Sequence, residues 1–186
     1  MFIRKYWILL LVVIAFILYV ANLFIKSPTQ TNKTHTNTPP SATFKSLVPG
    51  ISTPDQVAEQ LGKPVSTKTV NGETISQYKS TNQYRFNEVI YTNGSAQLIK
   101  EIVNSNDNIN ADYVTNVYGV APYMFYNTLS NNHFNLYVYP QNGIAYLGHT
   151  DGTLLEIWYF QPTTIDDFVK TWADGYSLTP PSPSGY

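Results

Sequence analysis

The sequence contains no cysteine, which excludes disulfide bonds, thiolate metal ligands and attachment of a lipid to a cysteine after a signal peptide. Charge is also scarce, since Asp, Glu, Lys and Arg make up 12% of the 186 residues and the formal net charge is −1. Such a chain has no basic field that would gather phosphates, so we expect no nucleic-acid partner.

Motifs that carry chemistry are lacking as well. The sequence has no G-x-S-x-G nucleophile elbow, no phosphate-cradling Gly loop and no H-E-x-x-H pair. Glu88, Glu101 and Glu156 are scattered over strand-like segments without a partnering acid. We therefore predict that the protein is not an enzyme and that it has no cofactor and no metal.

Aromatic residues are abundant instead, at 15% of the chain with fifteen Tyr. Tyrosine joins an apolar ring to a polar tip, so it serves both half-buried strands and contact surfaces. This richness is the main compositional indication of function.

Residues 6–25 read YWILLLVVIAFILYVANLFI and carry no charge, and about 20 such residues suffice to cross a bilayer as a helix. Arg4 and Lys5 precede this run and Lys26 follows it, which favours a cytoplasmic N-terminus at residues 1–5. The prediction is a single-pass anchor in the cell membrane with the C-terminal domain outside the cytoplasm. A cleaved signal peptide is the alternative, with a weak small-residue site near Asn22.

Two segments are rich in Thr, Asn, Ser and Pro and have little to bury. Residues 26–44 are therefore predicted to be a disordered stalk, and residues 176–186 a disordered tail. Between them, residues 45–103 and 104–175 form two stretches with the same plan.

Each stretch opens with a short helix. In the first, Thr53 can cap a helix that begins at Pro54 and ends at Gly62; in the second, Asn110 can cap a helix that ends at Gly119. A third helix is predicted over residues 164–172.

Alternating segments follow each of the first two helices, with Asn-Gly pairs typical of hairpin turns between several of them. The predicted strands are 67–70, 74–78, 84–91, 96–103, 123–129, 133–139, 144–149 and 154–160. The predicted fold class is α+β: an N-terminal transmembrane helix, then a tandem repeat of a helix packed on a four-stranded antiparallel sheet.

The stretch PGISTPDQVAEQLGKP and the strands after it resemble the small outer-membrane lipoprotein family of the SmpA/OmlA (BamE-like) type. Two such units in tandem resemble the arrangement of β-lactamase inhibitor proteins. The resemblance implies a non-enzymatic domain whose sheet binds other proteins or helps to assemble envelope complexes. The chain departs from the family in having no lipidated Cys, and no binding residue of either family can be matched to it.

Tight turns in the second stretch predict that Val138 faces Ile144 and that Tyr146 faces Ile157. One sheet face would then be the core, and the other would mix rings with polar groups. The predicted binding residues on this second face are Tyr137, Tyr139, Leu147, His149, Glu156 and Trp158. The alternative is that the same face packs against the other repeat or the last helix.

Three functions remain open from the sequence. The preferred one is a membrane-anchored, extracytoplasmic protein-binding module whose partner is another envelope or extracellular protein. The second is a structural or assembly component of an envelope complex. The third is a metal-dependent hydrolase that uses His133 and His149, with Asp151 close by.

Overall fold

One antiparallel sheet of nine strands organises the protein. The computed structural model describes residues 41–107, 109–127 and 134–180. The strands are β1 (Ser66–Val70), β2 (Glu73–Lys79), β3 (Phe86–Thr92), β4 (Ser95–Ile102), β5 (Tyr123–Asn127), β6 (Phe134–Tyr139), β7 (Ile144–His149), β8 (Leu154–Phe160) and β9 (Tyr176–Ser177). The predicted strand positions agree closely with these bounds. The order of the strands across the sheet is β1-β2-β3-β4-β8-β7-β6-β5-β9.

The predicted fold class is wrong in its architecture. The sequence of one helix and four strands does occur twice, but the strands do not form four-stranded sheets, because β4 pairs with β8 and makes the sheet continuous. Ile99 on β4 and Ile157 on β8 are fully buried. A strand that is apolar on both faces is stabilised by a neighbour on each side, and an exposed edge of this kind would invite aggregation.

The predicted membrane location is also corrected. Among residues 41–107, 109–127 and 134–180, the structure has no helix that is both long enough and apolar enough to cross a bilayer. The proposed anchor at residues 6–25 lies outside these ranges. The single-pass topology and the membrane partner therefore have no support.

Three short helices form where the capping residues predict them. The side chain of Thr53 accepts a hydrogen bond from the backbone N–H of Gln56 and completes a capping box at the start of α1 (Pro54–Leu61). Asn110 caps α2 (Ala111–Tyr118) in a similar way, and Thr164 caps α3 (Ile165–Trp172). Local side-chain chemistry thus fixes where each helix begins.

The helices lie on opposite faces of the sheet. Val57 of α1 and Val114 of α2 are fully buried in one core cluster with Val89, Ile99 and Ile157; we call this side the α1/α2 face. Phe168 of α3 is buried in the second cluster, where its ring centroid lies 4.9 Å from that of Phe160; we call this side the α3 face.

Both predicted disordered segments contribute residues to these clusters. Ala42 and Phe44, assigned to the stalk from sequence, are buried, and the Phe44 ring stacks on Tyr159 with centroids 5.5 Å apart. At the other end, Tyr176 pairs with Asn127 of β5 as part of β9. A single aromatic residue can thus attach a polar segment to a core. The average composition of the segment does not reveal this.

Candidate functional site

The pairing of β6 with β7 decides which predicted site residues share a face. Tyr139 lies opposite Ile144, so the predicted pairing of Val138 with Ile144 is wrong by one residue. Pro140–Asn142 form a turn of 3-10 helix that ends at Gly143 in the left-handed conformation, with φ of 65°. The predicted pairing of Tyr146 with Ile157 is confirmed.

This register divides the six predicted binding residues between the two faces. Tyr137 and Tyr139 lie on the α1/α2 face, because Tyr137 is opposite Tyr146 of that cluster. Trp158 lies on the α3 face, in the same cluster as Ala145 opposite it. Leu147, His149 and Glu156 lie on the α3 face too, since Leu147 is opposite both Leu136 and Glu156 and His149 is opposite Phe134.

The two tyrosines hold the second half of the α1/α2 face together. The Tyr137 ring stacks on Tyr146 with centroids 4.7 Å apart. The Tyr139 hydroxyl donates a 2.7 Å hydrogen bond to the carbonyl oxygen of Gly119, the residue that ends α2. Burial raises the pKa of Tyr139 to about 12. Tyr139 is therefore a core residue that connects β6 to α2.

On the α3 face, five side chains form a connected network that we call the charged cluster. Its members are Arg85, Glu88, Lys100, Glu156 and Trp158. The Lys100 ammonium lies 3.6 Å from Oε1 of Glu88 and 4.5 Å from the centre of the Trp158 ring. The indole N–H of Trp158 donates a 2.7 Å hydrogen bond to Oε2 of Glu156, and Oε1 of Glu156 pairs with Arg85.

Strand pairing builds the charged cluster from both halves of the chain. Glu88 on β3 lies opposite Lys100 on β4, and Lys100 lies opposite Trp158 on β8. Arg85 precedes β3 and reaches across to Glu156 on β8. The cluster exists only because β4 and β8 are neighbours.

The ring of Trp158 is the floor of the charged cluster. Its residue is only 4% exposed, and its ring meets Tyr176 edge to face with centroids 6.2 Å apart. Burial raises the pKa of Tyr176 to about 12, and the carboxylate of Glu156 adds to the shift. Trp158 is therefore covered by its neighbours Lys100 and Tyr176 and offers little surface for a direct contact.

A cavity of about 320 Å³ opens above the charged cluster, and its wall includes exposed rings. Tyr84 is 82% exposed and Phe86 is 37% exposed. The lining residues are Gln77, Tyr84, Arg85, Phe86, Glu88, Lys100, Ile102 and Glu156. Charged groups held in fixed positions beside accessible rings are suited to contact with another polar surface.

Leu147 and His149 lie on β7 and do not line this cavity. Nδ1 of His149 is 3.1 Å from Oδ1 of Asp151, and its ring meets Phe134 at 5.5 Å. The pKa of Asp151 is lowered chiefly by the backbone N–H of Thr153. His133 lies outside the described residues, and within the described ranges no three His, Asp or Glu side chains converge as metal ligands would.

Sequence reasoning found Glu156 and Trp158 but missed Arg85, Glu88 and Lys100. In the sequence, Glu88 was interpreted only as a scattered acid without a partnering acid. The signal that could have found them is a charged residue on a strand face that is otherwise apolar. Lys100 is an example, because Leu98 and Ile102 lie two residues away on either side and share its face. A buried or half-buried charge on a strand requires a partner across the sheet.

Comparison with known proteins adds little to this geometry. No family model and no curated protein matches the chain, so the resemblance to the SmpA/OmlA and BamE-like family has no support. A DUF4309 family protein (YjgB) from Bacillus subtilis subsp. subtilis str. 168 has a similar crystal structure, with a TM-score of 0.46 and 13% sequence identity. The match covers 67% of this chain and 89% of that one, and at this TM-score it carries no argument about fold or function.

Proposed function

We propose that the protein is a non-catalytic binding module that recognises another protein through the charged cluster. The observation that carries this proposal is the network of Glu88, Lys100, Trp158, Glu156 and Arg85 beneath an open cavity. Buried or half-buried charges are costly unless they are paired. Even when paired, such charges are often no more stabilising than apolar residues of the same size. A network of this kind on a part-exposed sheet face is therefore better explained by recognition than by stability.

Contacts within the chain position the side chains of the charged cluster without any partner. Lys100 and Glu156 are both fixed against the Trp158 ring, one by its cation–π contact and the other by the indole N–H. Side chains that are already ordered lose little conformational entropy on association. Arg and Trp, both present here, are enriched among the residues that dominate binding energy in interfaces.

The expected partner presents a carboxylate to Arg85. The Arg85 side chain is 38% exposed, whereas that of Glu156 is 14% exposed, so the outermost charge of the pair is positive. A guanidinium has five N–H donors, and the bond to Glu156 uses one of them. The remaining donors can bind an acidic side chain on the partner in the bidentate geometry typical of Arg.

The test is capture of partners by crosslinking to the full chain, followed by affinity measurement with each captured protein. Arg85→Gln should weaken binding at least about tenfold, since a charge-assisted hydrogen bond contributes roughly 1.5–3 kcal/mol. Lys170→Gln is the matched control, because Lys170 is exposed on α3 and is not part of the charged cluster. If Arg85→Gln folds normally and binds every captured protein as tightly as Lys170→Gln does, the assignment is wrong.

Assembly of several copies is the second candidate function, and β1 favours it. All five residues of β1 are exposed and β1 lies at the edge of the sheet, where its free backbone groups could pair with another strand. Size-exclusion chromatography of the full chain separates the two proposals, because a stable homo-oligomer that Lys68→Pro dissociates would favour assembly.

A further inference from the structure

A second concave site lies on the α1/α2 face, on the side of the sheet opposite the charged cluster. It is a groove of about 550 Å³ between α1 and the strands β1, β2 and β3. Pro54 and Ala58 of α1 and Pro64 provide apolar surface, and the strands provide polar side chains. Its volume falls within the range that is typical of small-molecule sites.

Pairs of hydroxyl groups line the strand side of the groove. Oγ1 of Thr67 lies 3.0 Å from Oγ of Ser76, and the hydroxyls of Tyr78 and Tyr91 lie 2.7 Å apart. Two hydroxyls carry two protons, and the bond between them uses one of these protons. Each pair therefore retains one O–H proton that can be donated to a ligand, together with free acceptor lone pairs.

Hydrogen bonding within each pair holds these hydroxyls in position, and three of the four residues are buried. Ser76, Tyr78 and Tyr91 are buried and Thr67 is exposed, and in each pair the two hydroxyls come from adjacent strands. Burial also raises the pKa of Tyr91 far above its ordinary value, so its hydroxyl keeps its proton at any physiological pH. The groove thus presents neutral groups that both donate and accept hydrogen bonds.

The composition of the lining restricts the chemistry of a ligand. Among the described residues that line the groove, Asp55 is the only one with a formal charge, and it is exposed in the first turn of α1. An anion would find no cation here. A peptide would find few backbone partners, because β2 and β3 hydrogen-bond to strands on both sides.

The geometry points to a saccharide-binding site, in which a neutral sugar lies between α1 and the paired hydroxyls of Thr67, Ser76, Tyr78 and Tyr91. Sugar hydroxyls donate and accept hydrogen bonds, as the groups in this groove do. The apolar C–H face of a sugar ring matches the surface of Pro54 and Ala58. This ligand is distinct from the protein partner of the charged cluster, and the two sites are independent.

The test is titration of the full chain with three neutral probes, maltotriose, cellotriose and tri-N-acetylchitotriose, each to about 10 mM, a range that detects millimolar affinity. Amide chemical shifts in NMR spectra report binding. At least one probe should shift the amides of β2, β3 and α1 while leaving those around Arg85 and Glu156 unchanged. If none of the three probes shifts these amides, the proposal is overturned.

Variants separate specific recognition from loose association. Tyr78→Phe combined with Tyr91→Phe removes both hydroxyls and keeps both rings, and a paired removal of this kind can be nearly neutral for stability. It should weaken binding of the responsive sugar at least about tenfold. Tyr113→Phe is the control, since Tyr113 is exposed on α2 and lies outside the groove. Equal affinity of the double variant and the control would also overturn the proposal, as long as the thermal midpoints of both match the parent.

Discussion

The hydroxyl of Tyr159 donates a 2.7 Å hydrogen bond to Oε2 of Glu101, which joins β8 to β4 at the junction of the two halves. Burial raises the pKa of Glu101 above its ordinary value of 4.5, and the bond from Tyr159 and the charge of Lys45 oppose the shift without cancelling it. Burial and the neighbouring carboxyl also raise the pKa of Tyr159. The folded protein therefore binds a proton at Glu101 more tightly than the unfolded chain does.

This shift predicts how the free energy of unfolding depends on pH. A carboxyl with a raised pKa in the folded state stabilises the protein below its unfolded pKa, and this stabilisation is lost as pH rises through the folded pKa. Glu101→Gln removes the titration but keeps an acceptor for Tyr159. We expect the stability of the variant relative to the parent to increase as pH rises from about 4 upward.

Urea denaturation at a series of pH values measures this dependence. Glu59→Gln is the matched control, because Glu59 is exposed on α1 and its substitution should leave the pH profile unchanged. A profile of Glu101→Gln that runs parallel to the parent would contradict the assigned shift.

The buried floor of the charged cluster predicts a large effect of Trp158→Ala on stability. Removing a buried Trp leaves a cavity and typically costs about 3–5 kcal/mol, and here Lys100 and Glu156 would also lose their contacts with the ring. Urea denaturation should show that the free energy of unfolding of Trp158→Ala is lower than that of the parent by an amount in this range. Trp172→Ala provides the comparison, since Trp172 is half-buried and should cost less. Equal losses for the two variants would argue against Trp158 as the floor of the cluster.

The bond from Tyr139 to the end of α2 predicts a smaller effect. Tyr139→Phe leaves the ring in place and removes the hydroxyl that donates to the carbonyl oxygen of Gly119. The net cost of such a bond is about 1 kcal/mol. Tyr113→Phe on the exposed side of α2 should change the thermal midpoint by much less. The inference fails if the two variants unfold at the same temperature.

The turn between β6 and β7 predicts a difference between two glycines. Both Gly143 and Gly152 have positive φ, of 65° and 91°, a conformation that costs an L-residue about 1–2 kcal/mol. A Cβ at Gly143 would lie 2.1 Å from the carbonyl oxygen of Phe160, whereas one at Gly152 would meet no atom within 4 Å. Gly143→Ala should therefore destabilise the protein clearly more than Gly152→Ala in thermal denaturation. Similar midpoints would contradict this turn geometry.

Features determined by neighbouring residues could be predicted from the sequence. Thr53 and Asn110 cap the helices because their side chains bond to N–H groups two or three residues away. Asn71-Gly72 and Asn93-Gly94 form hairpin turns with positive φ at both positions, as the dipeptide predicts.

Features that depend on distant residues could not be predicted in this way. The turn after Tyr139 includes Pro140 and forms a 3-10 helix, and Tyr139 pairs with Ile144 across it. The predicted pairing of Val138 with Ile144 put one residue too many between the paired positions, and this slip mixed the two faces. Pairing of β4 with β8 joins residues more than fifty positions apart, and no local pattern specifies it. The contact between Lys100 and Trp158 follows from that pairing, which is why the charged cluster was missed.

Continuity of the sheet across β4 and β8 is the claim on which the charged cluster depends, and amide hydrogen exchange measured by NMR tests it most directly. If β4 and β8 are paired central strands, the amides of Ile99, Glu101, Ile157 and Tyr159 should exchange as slowly as the most protected amides of the protein. β1 lies at the edge of the sheet, so every second amide of β1 points away from β2. These amides provide an internal reference for the exchange rate of an unpaired strand edge. Exchange of alternate β4 or β8 amides at the rate of that reference would contradict the continuous sheet and, with it, the charged cluster.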